Sequence, residues 1–488
     1  MNIIFVASEM APFSKTGGLA DVTGSLPSEI HALGHNVITF SPRYSSVDIL
    51  DKRLRLTVKN LPVSLGGVYE SANLYQFDDK SGVLHYFVDY PDFFCRDGLY
   101  GTPHGDYPDN DQRFIFFQRA VLEAIKALKI KADVIHCHDW QAGLIPVYLK
   151  TLYAKDPAFK NVKTIFTIHN LGYQGNFPPD SFPSTGFGWD LFRLERLEFY
   201  GKFSFLKGGI VYADAVTTVS PSYAREIQSK EYGCGLEGVL ANRKDTLIGI
   251  TNGIDYKVWN PSTDRDLIAR FSRRNLAKKA VNKKELQKEN RLNIDPEIPL
   301  VGLVSRLVDQ KGIDIVVAAF DEMMAAGIQV ILLGTGEERY HQLFRDIAKQ
   351  YRSQFSPHIV FDAKMAKRIY GGCDAVLIPS YYEPCGLAQM ISLRYATIPI
   401  VRAIGGLADT IKEFDPVKGL GNGFRFEDYT ARALVSAVKR FVQTFKDKNL
   451  WQKLVQNGLD CDFSWKASAK KYETVYAQTK RQEVRNLK

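Results

Sequence analysis

Residues that could bind an anionic or polyhydroxylated ligand occur in four short stretches of this 488-residue sequence. The first is SKTGGLADV, residues 14–22, where Lys15 precedes the glycine pair Gly17 and Gly18. Glycines let a backbone approach a ligand closely, and free N–H groups at a helix start attract phosphate, to which a lysine adds positive charge. The spacing matches neither GxGxxG nor GxxxxGK[ST]. The stretch therefore predicts either a phosphate- or sugar-binding loop or an ordinary turn.

The second stretch, VSRLVDQKGIDI at residues 304–315, places two cations around a turn. Arg306 follows an apolar run that predicts a strand, and Lys311 precedes a run that predicts a helix. An arginine can donate two hydrogen bonds to phosphate oxygens, and a lysine can neutralise a second group. The alternative is a solvated turn with two ordinary surface cations.

The third stretch, PSYYEPCGLAQM at residues 379–390, combines an acid with a predicted helix start. Glu383 precedes Pro384, and proline is favoured at the first helical position. Backbone N–H groups at the positive end of that helix would come from Cys385, Gly386 and Leu387. The carboxylate is then predicted to bind sugar hydroxyls, or alternatively to cap the helix. A second glycine pair, in AIGGLADTI, repeats the order strand, glycine pair, helix of the first stretch.

The fourth group of polar residues lies in HCHDWQAGL and TIHNLGYQG. His136, His138, Asp139 and His169 are possible metal ligands by type, but their spacing does not match a zinc site, and we predict no metal. His136 and His138 are two residues apart on a predicted strand, so one of them is expected to be a hydrogen-bonded histidine in the core. Asp139 and His169 are the better candidates for contacts to a sugar.

The elements that must position these residues alternate between short apolar runs and helical patterns. Strands are predicted for NIIFVAS, NVITFSP, ADVIHCHDW, KTIFTIHN and ADAVTTVS, and then for PLVGLVSR, IQVILLG, HIVF, DAVLIPS and TIPIVR. Helices are predicted over residues 19–33, 313–326 and 337–351, and hairpins for VYESANLYQF and SGVLHYFVDY. Runs rich in Val, Ile and Leu are typical of parallel sheets covered by helices on both faces. We therefore predict an α/β chain of two doubly wound, Rossmann-like domains, with ligands beyond the carboxyl ends of the strands.

Composition restricts the class of protein further. With 45% hydrophobic and 24% charged residues the chain is typical of globular proteins, and no apolar run is long enough to predict a membrane span. The net charge of +9 is compatible with an anionic ligand, and no zinc-finger or RNA-binding motif predicts a nucleic-acid partner. The basic residues 273–291 predict a solvated linker and helix. Six scattered cysteines predict reduced thiols, and the N-terminal run predicts a strand instead of a signal peptide, so we expect a cytoplasmic protein.

Several of these motifs together resemble one known family. SEMAPFSKTGGLADV, HDWQAGL, TIHNLGYQG, VSRLVDQKG, PSYYEPCGLAQM and GGLADTI occur in family order and closely resemble the bacterial glycogen synthases and plant starch synthases. The resemblance extends from Asn2 to about Tyr472. It implies transfer of glucose from ADP-glucose to the non-reducing end of an α-1,4-glucan, with retention of anomeric configuration. The glucan is glycogen, starch or a maltooligosaccharide, and no metal or other cofactor is implied.

The resemblance also implies a fold and its domains. The fold is the glycosyltransferase B type, with two Rossmann-like domains facing across a deep cleft. Residues 1–250 would form the acceptor-side domain and residues 251–460 the nucleotide-sugar-binding domain. Residues 461–488 would form a helical segment that crosses back to the first domain. The oligomeric state stays open, and a plastid protein with its transit peptide removed is the alternative to a cytoplasmic one.

Individual roles follow from the same resemblance. Lys15, with the backbone of Gly17 and Gly18, would face the diphosphate and sugar, and Arg306 and Lys311 would stabilise the departing ADP. Glu383 would bind glucose hydroxyls, helped by the amides of Cys385, Gly386 and Leu387. Asp139 and His169 would line the glucose side, with the His169 carbonyl near the reacting carbon. Positions near the nucleotide sugar match Asp21 and Asn252, and Phe361 matches an aromatic position against adenine.

The sequence departs from the family pattern at three positions. Ile404 stands where threonine is common, Lys367 where histidine is common, and Phe361 replaces a frequent tyrosine. Alternatives to a glucan synthase are another retaining glycosyltransferase with a UDP- or GDP-sugar donor, a glucan phosphorylase, or a non-catalytic glucan-binding protein. The last would have little reason to keep Lys15, Arg306, Lys311 and Glu383 together.

Overall fold

A computed structural model describes residues 1–47 and 53–485, and the chain divides into two compact units. The first unit contains Met1–Val219, Ala224–Ile250 and Trp465–Lys488, and the second contains Ser220–Tyr223 and Thr251–Ser464. Residues 48–52 and residues 486–488, the latter within the predicted C-terminal helical segment, lie outside the described part. In that part, no helix is both long and apolar enough to span a membrane.

The first unit is built from the following elements. Its strands are β1 (Asn2–Val6), β2 (Asn36–Pro42), β3 (Arg55–Leu65), β4 (Val68–Asp78), β5 (Leu84–Asp89), β6 (Gly101–Thr102), β7 (Gly105–Asp106), β8 (Val134–His138), β9 (Lys163–Ile168), β10 (Asn176–Phe177), β11 (Glu198–Phe199), β12 (Lys202–Ser204), β13 (Ala215–Thr218) and β14 (Leu247–Gly249). Its helices are α1 (Gly18–Ala32), α2 (Pro91–Phe94), α3 (Asn110–Ala127), α4 (Ile145–Lys150), α5 (Phe205–Tyr212), α6 (Pro221–Glu226), which the unit boundary divides, and α7 (Glu237–Ala241).

The main sheet of the first unit has the order β14-β13-β9-β8-β1-β2-β5-β4-β3 over the described residues. Strands β14 to β5 of that order pair in parallel, and β4 and β3 continue the sheet as antiparallel strands. The hairpins predicted for VYESANLYQF and SGVLHYFVDY are instead one strand each, β4 and β5, and these two strands pair with each other in antiparallel orientation. The chain leaves β1 toward β2 on one side and later returns to β8 on the other, so the strand order reverses at β1.

The second unit is a doubly wound domain with regular alternation. Its strands are β15 (Leu300–Val304), β16 (Gln329–Leu333), β17 (Phe355–His358), β18 (Ala375–Ile378), β19 (Ile398–Arg402) and β20 (Phe424–Phe426). Its helices are α8 (Lys279–Glu289), α9 (Ile313–Ala325), α10 (Glu338–Gln350), α11 (Ala363–Gly372), α12 (Ala388–Arg394), α13 (Gly405–Thr410), α14 (Ala431–Lys446) and α15 (Lys448–Leu459).

The sheet of the second unit has the order β17-β16-β15-β18-β19-β20, and each neighbouring pair is parallel. This is the order 3-2-1-4-5-6 of nucleotide-binding folds, in which ligands bind where the order reverses, here outside β15 and β18. Both faces of the sheet are covered, and Leu300, Ile331 and Ile369 belong to one buried cluster. The prediction of α/β folding with parallel sheets is confirmed.

The last helix, α16 (Trp465–Arg485), belongs to the first unit. Trp465, Ala469, Tyr472, Val475 and Tyr476 are buried in one cluster with residues of β1 and α1, among them Ile3, Phe5, Val22 and Leu26. Their spacing of three and four residues places them on one helix face. The core of the first unit is thus completed by residues from the opposite end of the chain.

Candidate active site

The candidate site residues of the first unit lie where its strand order reverses. The loops after β1, β8 and β9 all leave the carboxyl ends of neighbouring parallel strands. The first loop contains Lys15, the second begins with Asp139, and the third begins with His169. The topology therefore gathers two of the four polar stretches, the first and the fourth, at one edge of this sheet.

The glycine-rich loop after β1 is held by a buried carboxylate. One oxygen of Glu9 accepts the backbone N–H groups of Thr16, at 2.5 Å, and Gly17, at 3.2 Å. The other accepts the hydroxyls of Thr16, at 2.6 Å, and Tyr100, at 2.7 Å. Two amides that could have bound phosphate thus already donate to Glu9.

The glycine pair itself faces open space. A Cβ built on Gly17 or Gly18 would meet no atom within 4 Å, and Gly17 has an extended backbone with φ of −152°. Neither packing nor backbone conformation of this unit therefore requires glycine at these positions. The remaining physical reason for glycine at positions 17 and 18 is room for the close approach of a ligand. Lys15, whose ammonium pairs with Asp21 at 2.6 Å, lies beside them and is half exposed.

Asp139 supports the loop that follows β9. It is buried, has a left-handed backbone with φ of 55°, and accepts the backbone N–H groups of His169, at 2.7 Å, and of Asn170. Burial raises the pKa of the Asp139 carboxyl to about 7, against the lowering effect of these two hydrogen bonds. The carboxylate that sequence reasoning assigned to sugar contact is thus engaged in fixing the backbone of residues 169–170.

Three buried histidines continue this arrangement. Nδ1 of His138 hydrogen-bonds Nε2 of His169 at 3.0 Å, and His136 hydrogen-bonds Tyr476 at 2.9 Å and Thr167 at 2.6 Å. Burial lowers the pKa of His136 and of His169 to about 3, so both rings are neutral near pH 7. His136 is therefore a hydrogen-bonded core histidine. Within residues 1–47 and 53–485, no group of three or more His, Cys, Asp and Glu side chains is placed to hold a metal ion.

In the second unit the loops after β15 and β18 are joined at the reversal of strand order. Nζ of Lys311 pairs with Oε2 of Glu383 at 2.6 Å, and the hydroxyl of Ser380 donates to the same oxygen at 3.0 Å. The loops also approach closely at Gly312, which has φ of 73°, since a Cβ there would lie 2.1 Å from the Pro379 carbonyl oxygen. The exposed Arg306 guanidinium lies in the first of these loops and donates to Gln310 at 3.1 Å. The structure thus brings Lys311 and Glu383 together, and Glu383 is not the helix cap that was the alternative prediction.

The predicted helix start at Pro384 is wrong. Helix α12 begins at Ala388, with Leu387 as its N-cap, and Gly386 has φ of 72°, outside the range of a right-handed α-helix. Residues 384–387 form a turn against the second glycine pair: the N–H of Gly406 donates to the Glu383 carbonyl at 3.1 Å. A Cβ on Gly405 would lie 1.9 Å from the same carbonyl oxygen. The predicted order of strand, glycine pair and helix is confirmed, since α13 begins at Gly405 as α1 begins at Gly18. Unlike Gly17 and Gly18, however, the second pair is glycine because of close packing.

The remaining predicted residues differ in exposure. Asn252 is buried, its backbone N–H donates to the buried Cys385 thiol, and its Oδ1 has no partner in the described part of the chain. Phe361 is 85% exposed. The strand expected at HIVF is also misplaced, because β17 ends at His358, and Phe361 lies in the segment between β17 and α11. Lys367, one of the departures from the family pattern, pairs with Asp266 at 3.0 Å.

Sequence reasoning missed Glu9, Tyr100 and Ser380, which hold the predicted residues in place. Glu9 lies three residues after β1, and an acid there would normally be exposed. Glu9 is buried, and its carboxylate accepts a hydrogen bond from Tyr100, which is distant in the sequence. Ser380 directly precedes the YYEPCGL part of a recognised motif, and this proximity was the available signal.

The topology and the site define a class, the glycosyltransferases of the B fold. The structure superimposes on the catalytic domain of starch synthase IV from Arabidopsis thaliana, bound to ADP and acarbose, with a TM-score of 0.89 and 33% identity, covering 98% of this chain and 99% of that one. A sucrose-phosphate synthase from Thermosynechococcus elongatus shares the fold, with a TM-score of 0.59 and 18% identity over 98% of each chain.

Sequence comparison then gives the family. The starch synthase catalytic domain family matches residues 2–242, and the glycosyl transferases group 1 family matches residues 284–459. The chain is 48% identical over 480 residues to the glycogen synthase of Koribacter versatilis (strain Ellin345), and 45% identical over 478 residues to that of Geotalea uraniireducens (strain Rf4), with 98% of both chains covered in each case. The chain belongs to the glycogen synthase and starch synthase family and is a glucosyltransferase of the glucan synthase type. The resemblance, the fold class and the enzyme class predicted from sequence are confirmed.

Proposed function

We propose that the enzyme transfers glucose from ADP-glucose to the non-reducing end of an α-1,4-glucan with retention of configuration. The observation that carries the proposal is the Lys311–Glu383 pair, at the reversal of strand order in the second unit, beside the exposed Arg306. Bound ADP in the starch synthase IV structure supports an adenine nucleotide as the leaving group. The names of the relatives support glycogen as the acceptor.

The second unit would bind and activate the donor. Departure of the nucleotide builds negative charge on the diphosphate, and the cations of Arg306 and Lys311 would stabilise it without an added metal. Glu383 would accept hydrogen bonds from glucose hydroxyls, and its pairing with Lys311 orients the carboxylate. The buried Oδ1 of Asn252 would accept a hydrogen bond from the nucleotide sugar. Phe361, as an exposed ring, would stack on adenine, and amides of residues 385–387 would donate to the donor.

The first unit would contribute the sugar side of the reaction. Lys15 would reach the diphosphate once a phosphate competes with Asp21 for its ammonium, and the open face of Gly17 and Gly18 would admit the donor. Asp139 would act by positioning: its carboxylate fixes the backbone of His169, whose carbonyl would stabilise positive charge at the anomeric carbon. The bond from that carbon to the phosphate oxygen breaks, the bond to the acceptor O4 forms on the same face, and the hydroxyl proton passes to the departing phosphate.

The donor assignment is tested with purified enzyme, glycogen and either ADP-glucose, UDP-glucose or glucose 1-phosphate, with chelator present. We expect elongation with ADP-glucose preferred. Preference for UDP-glucose would overturn the donor assignment, and no incorporation from any donor would overturn the function.

The site assignment is tested with Lys15→Ala and Glu383→Gln, and with Lys155→Ala as a matched exposed lysine in the first unit. Removing a group that stabilises the transition state should lower kcat/KM by about 100-fold or more, with unchanged far-UV circular dichroism. Rates like those of Lys155→Ala in both variants would reject the roles of Lys15 and Glu383 in the reaction.

A further inference from the structure

Gln310 joins the loop that carries Arg306 to the loop that carries Glu383. Its Oε1 accepts a hydrogen bond from Nη2 of Arg306 at 3.1 Å, and its Nε2 donates to the Tyr382 carbonyl at 3.3 Å. Its own backbone carbonyl accepts the N–H of Tyr381 at 2.9 Å. One residue thus contacts both the candidate phosphate-binding arginine and the backbone immediately before the candidate sugar-binding acid.

The contacts of Gln310 form part of a closed ring. Gln310 is followed in the chain by Lys311, and its amide donates to the Tyr382 carbonyl. Tyr382 is followed by Glu383, whose carboxylate pairs with Lys311 at 2.6 Å. The ring restricts the position of the amide, and the Arg306 guanidinium is attached to that amide. The position of the arginine relative to the carboxylate is therefore set through Gln310.

Glutamine suits this position because its side-chain amide both accepts and donates hydrogen bonds. Oε1 faces a guanidinium, which can only donate, and Nε2 faces a carbonyl, which can only accept. The opposite orientation would place two donors together and two acceptors together, so the surroundings select one orientation of the amide. A glutamate would keep the contact with Arg306 but could not donate to Tyr382, and a methionine would make neither hydrogen bond.

Arg306 differs from the other two candidate cations in the charge of its partner. Lys15 pairs with Asp21 at 2.6 Å, and Lys311 pairs with a carboxylate at the same distance. In the part of the chain that the structure describes, the Arg306 guanidinium instead has a neutral partner, the Gln310 amide. An amide holds the guanidinium without cancelling its positive charge, and the remaining N–H groups stay available for phosphate oxygens.

We propose, building on the proposed role of Arg306 in stabilising the departing nucleotide, that Gln310 is a positioning residue for glucosyl transfer. It orients the guanidinium toward the diphosphate and leaves the full positive charge available to the leaving group. An exposed arginine side chain loses much rotational freedom when it binds an anion. Holding the guanidinium before the donor arrives reduces that cost, and a preoriented cation stabilises the charge that develops in the transition state.

The test compares full-length Gln310→Met, Gln310→Glu, Arg306→Ala and the double variant Arg306→Ala/Gln310→Met. Methionine has about the length of glutamine and removes both hydrogen bonds without adding charge. Gln342→Met is the matched control, since Gln342 is an exposed glutamine of the second unit that donates to Asp346 at 3.0 Å. Initial rates are measured against glycogen and against the donor that the wild type prefers, so the result does not depend on the donor assignment.

We expect Gln310→Met to lower kcat/KM for the donor by about tenfold, with an unchanged KM for glycogen and a melting temperature within roughly 3 °C of the wild type. Gln310→Glu should lose about 100-fold, because its carboxylate pairs with Arg306 and cancels the charge. In the Arg306→Ala background, Gln310→Met should change the rate by less than about twofold, because the residue through which Gln310 acts is absent. Gln342→Met should behave like the wild type.

An equal loss from Gln310→Met with and without Arg306 would overturn the positioning role, because Gln310 would then act only on the loop of Tyr382. A loss in Gln310→Glu no larger than in Gln310→Met would also overturn it, since a neutral partner would not be required. Wild-type kinetics in Gln310→Met beside a large loss in Arg306→Ala would reject the role of Gln310 alone. Wild-type kinetics in Arg306→Ala would reject the role of the arginine and that of Gln310 together.

Discussion

Glu9 is predicted to be the residue that holds the glycine-rich loop in place, and Glu9→Ala removes that support. In the variant the oxygen that accepts the N–H groups of Thr16 and Gly17, at 2.5 and 3.2 Å, is absent. These two backbone donors then lose their acceptor beside a buried position, and each loss costs about 1–3 kcal/mol of folding stability. Allowing for relaxation, we expect a loss of about 3 kcal/mol in the free energy of unfolding. The melting temperature should fall by roughly 6–12 °C at this size of folding unit.

The assay combines calorimetry with hydrogen exchange. Exchange at the amides of Thr16 and Gly17 should accelerate strongly in Glu9→Ala, and kcat/KM for the donor should fall because Lys15 is no longer held. Tyr100→Phe is the graded control, since it removes one hydrogen bond of 2.7 Å to the same carboxylate and one of 2.7 Å to the Ser8 hydroxyl, and should lose about 1–2 kcal/mol. The reasoning is refuted if Glu9→Ala costs no more stability than Tyr100→Phe, or if exchange at residues 16 and 17 is unchanged.

Two further predictions concern pH and the glycine pairs. The pKa of His136 in the folded chain is about 3, below its value of about 6.5 in the unfolded chain, so the unfolded state alone takes up a proton as pH falls below 6.5. The free energy of unfolding should therefore fall below pH 6.5, by about 1.4 kcal/mol per pH unit for this residue. In His136→Gln, urea titrations should show a free energy of unfolding that depends less steeply on pH. An equally steep pH dependence in the variant and the wild type would contradict the assignment. For the glycines, Gly17→Ala should leave the melting temperature unchanged or slightly raised while raising KM for the donor, whereas Gly405→Ala, whose Cβ would lie 1.9 Å from a carbonyl oxygen, should lower the melting temperature by several degrees. Equal changes in melting temperature in the two variants would contradict the conclusion that packing requires glycine at position 405 but not at position 17.

The fold could be predicted because buried parallel strands are recognisable as continuous apolar runs. LVGLV of β15 and VIHCH of β8 are almost entirely buried, as that pattern requires. Helix α1 begins and ends within one residue of the predicted limits, because Gly34, with φ of 92°, terminates it. These signals are local, so a single sequence contains them.

The errors arose where distant residues decide the local structure. The end of β17 is set by its partner, since Leu333, the last residue of β16, pairs with His358. The turn at residues 384–387 depends on the glycine pair at 405–406, which no local pattern around Pro384 indicates. The support that the Asp139 carboxylate gives to the backbone of residues 169–170 likewise joins two segments that are distant in the sequence, while the contact of Asp139 with the sugar stays a prediction.

Helix α16 has a consequence for the order in which the chain folds during synthesis. The ribosome produces β1 and α1 first, but Trp465 to Tyr476, which bury Val22 and Leu26, emerge only after the whole second unit. At a synthesis rate of about 5–20 residues per second, the apolar face of α1 is not covered by α16 until roughly 10–40 s after residue 250 has been added. A nascent chain arrested before residue 465 should therefore contain a protease-resistant second unit and a first unit that chaperones retain.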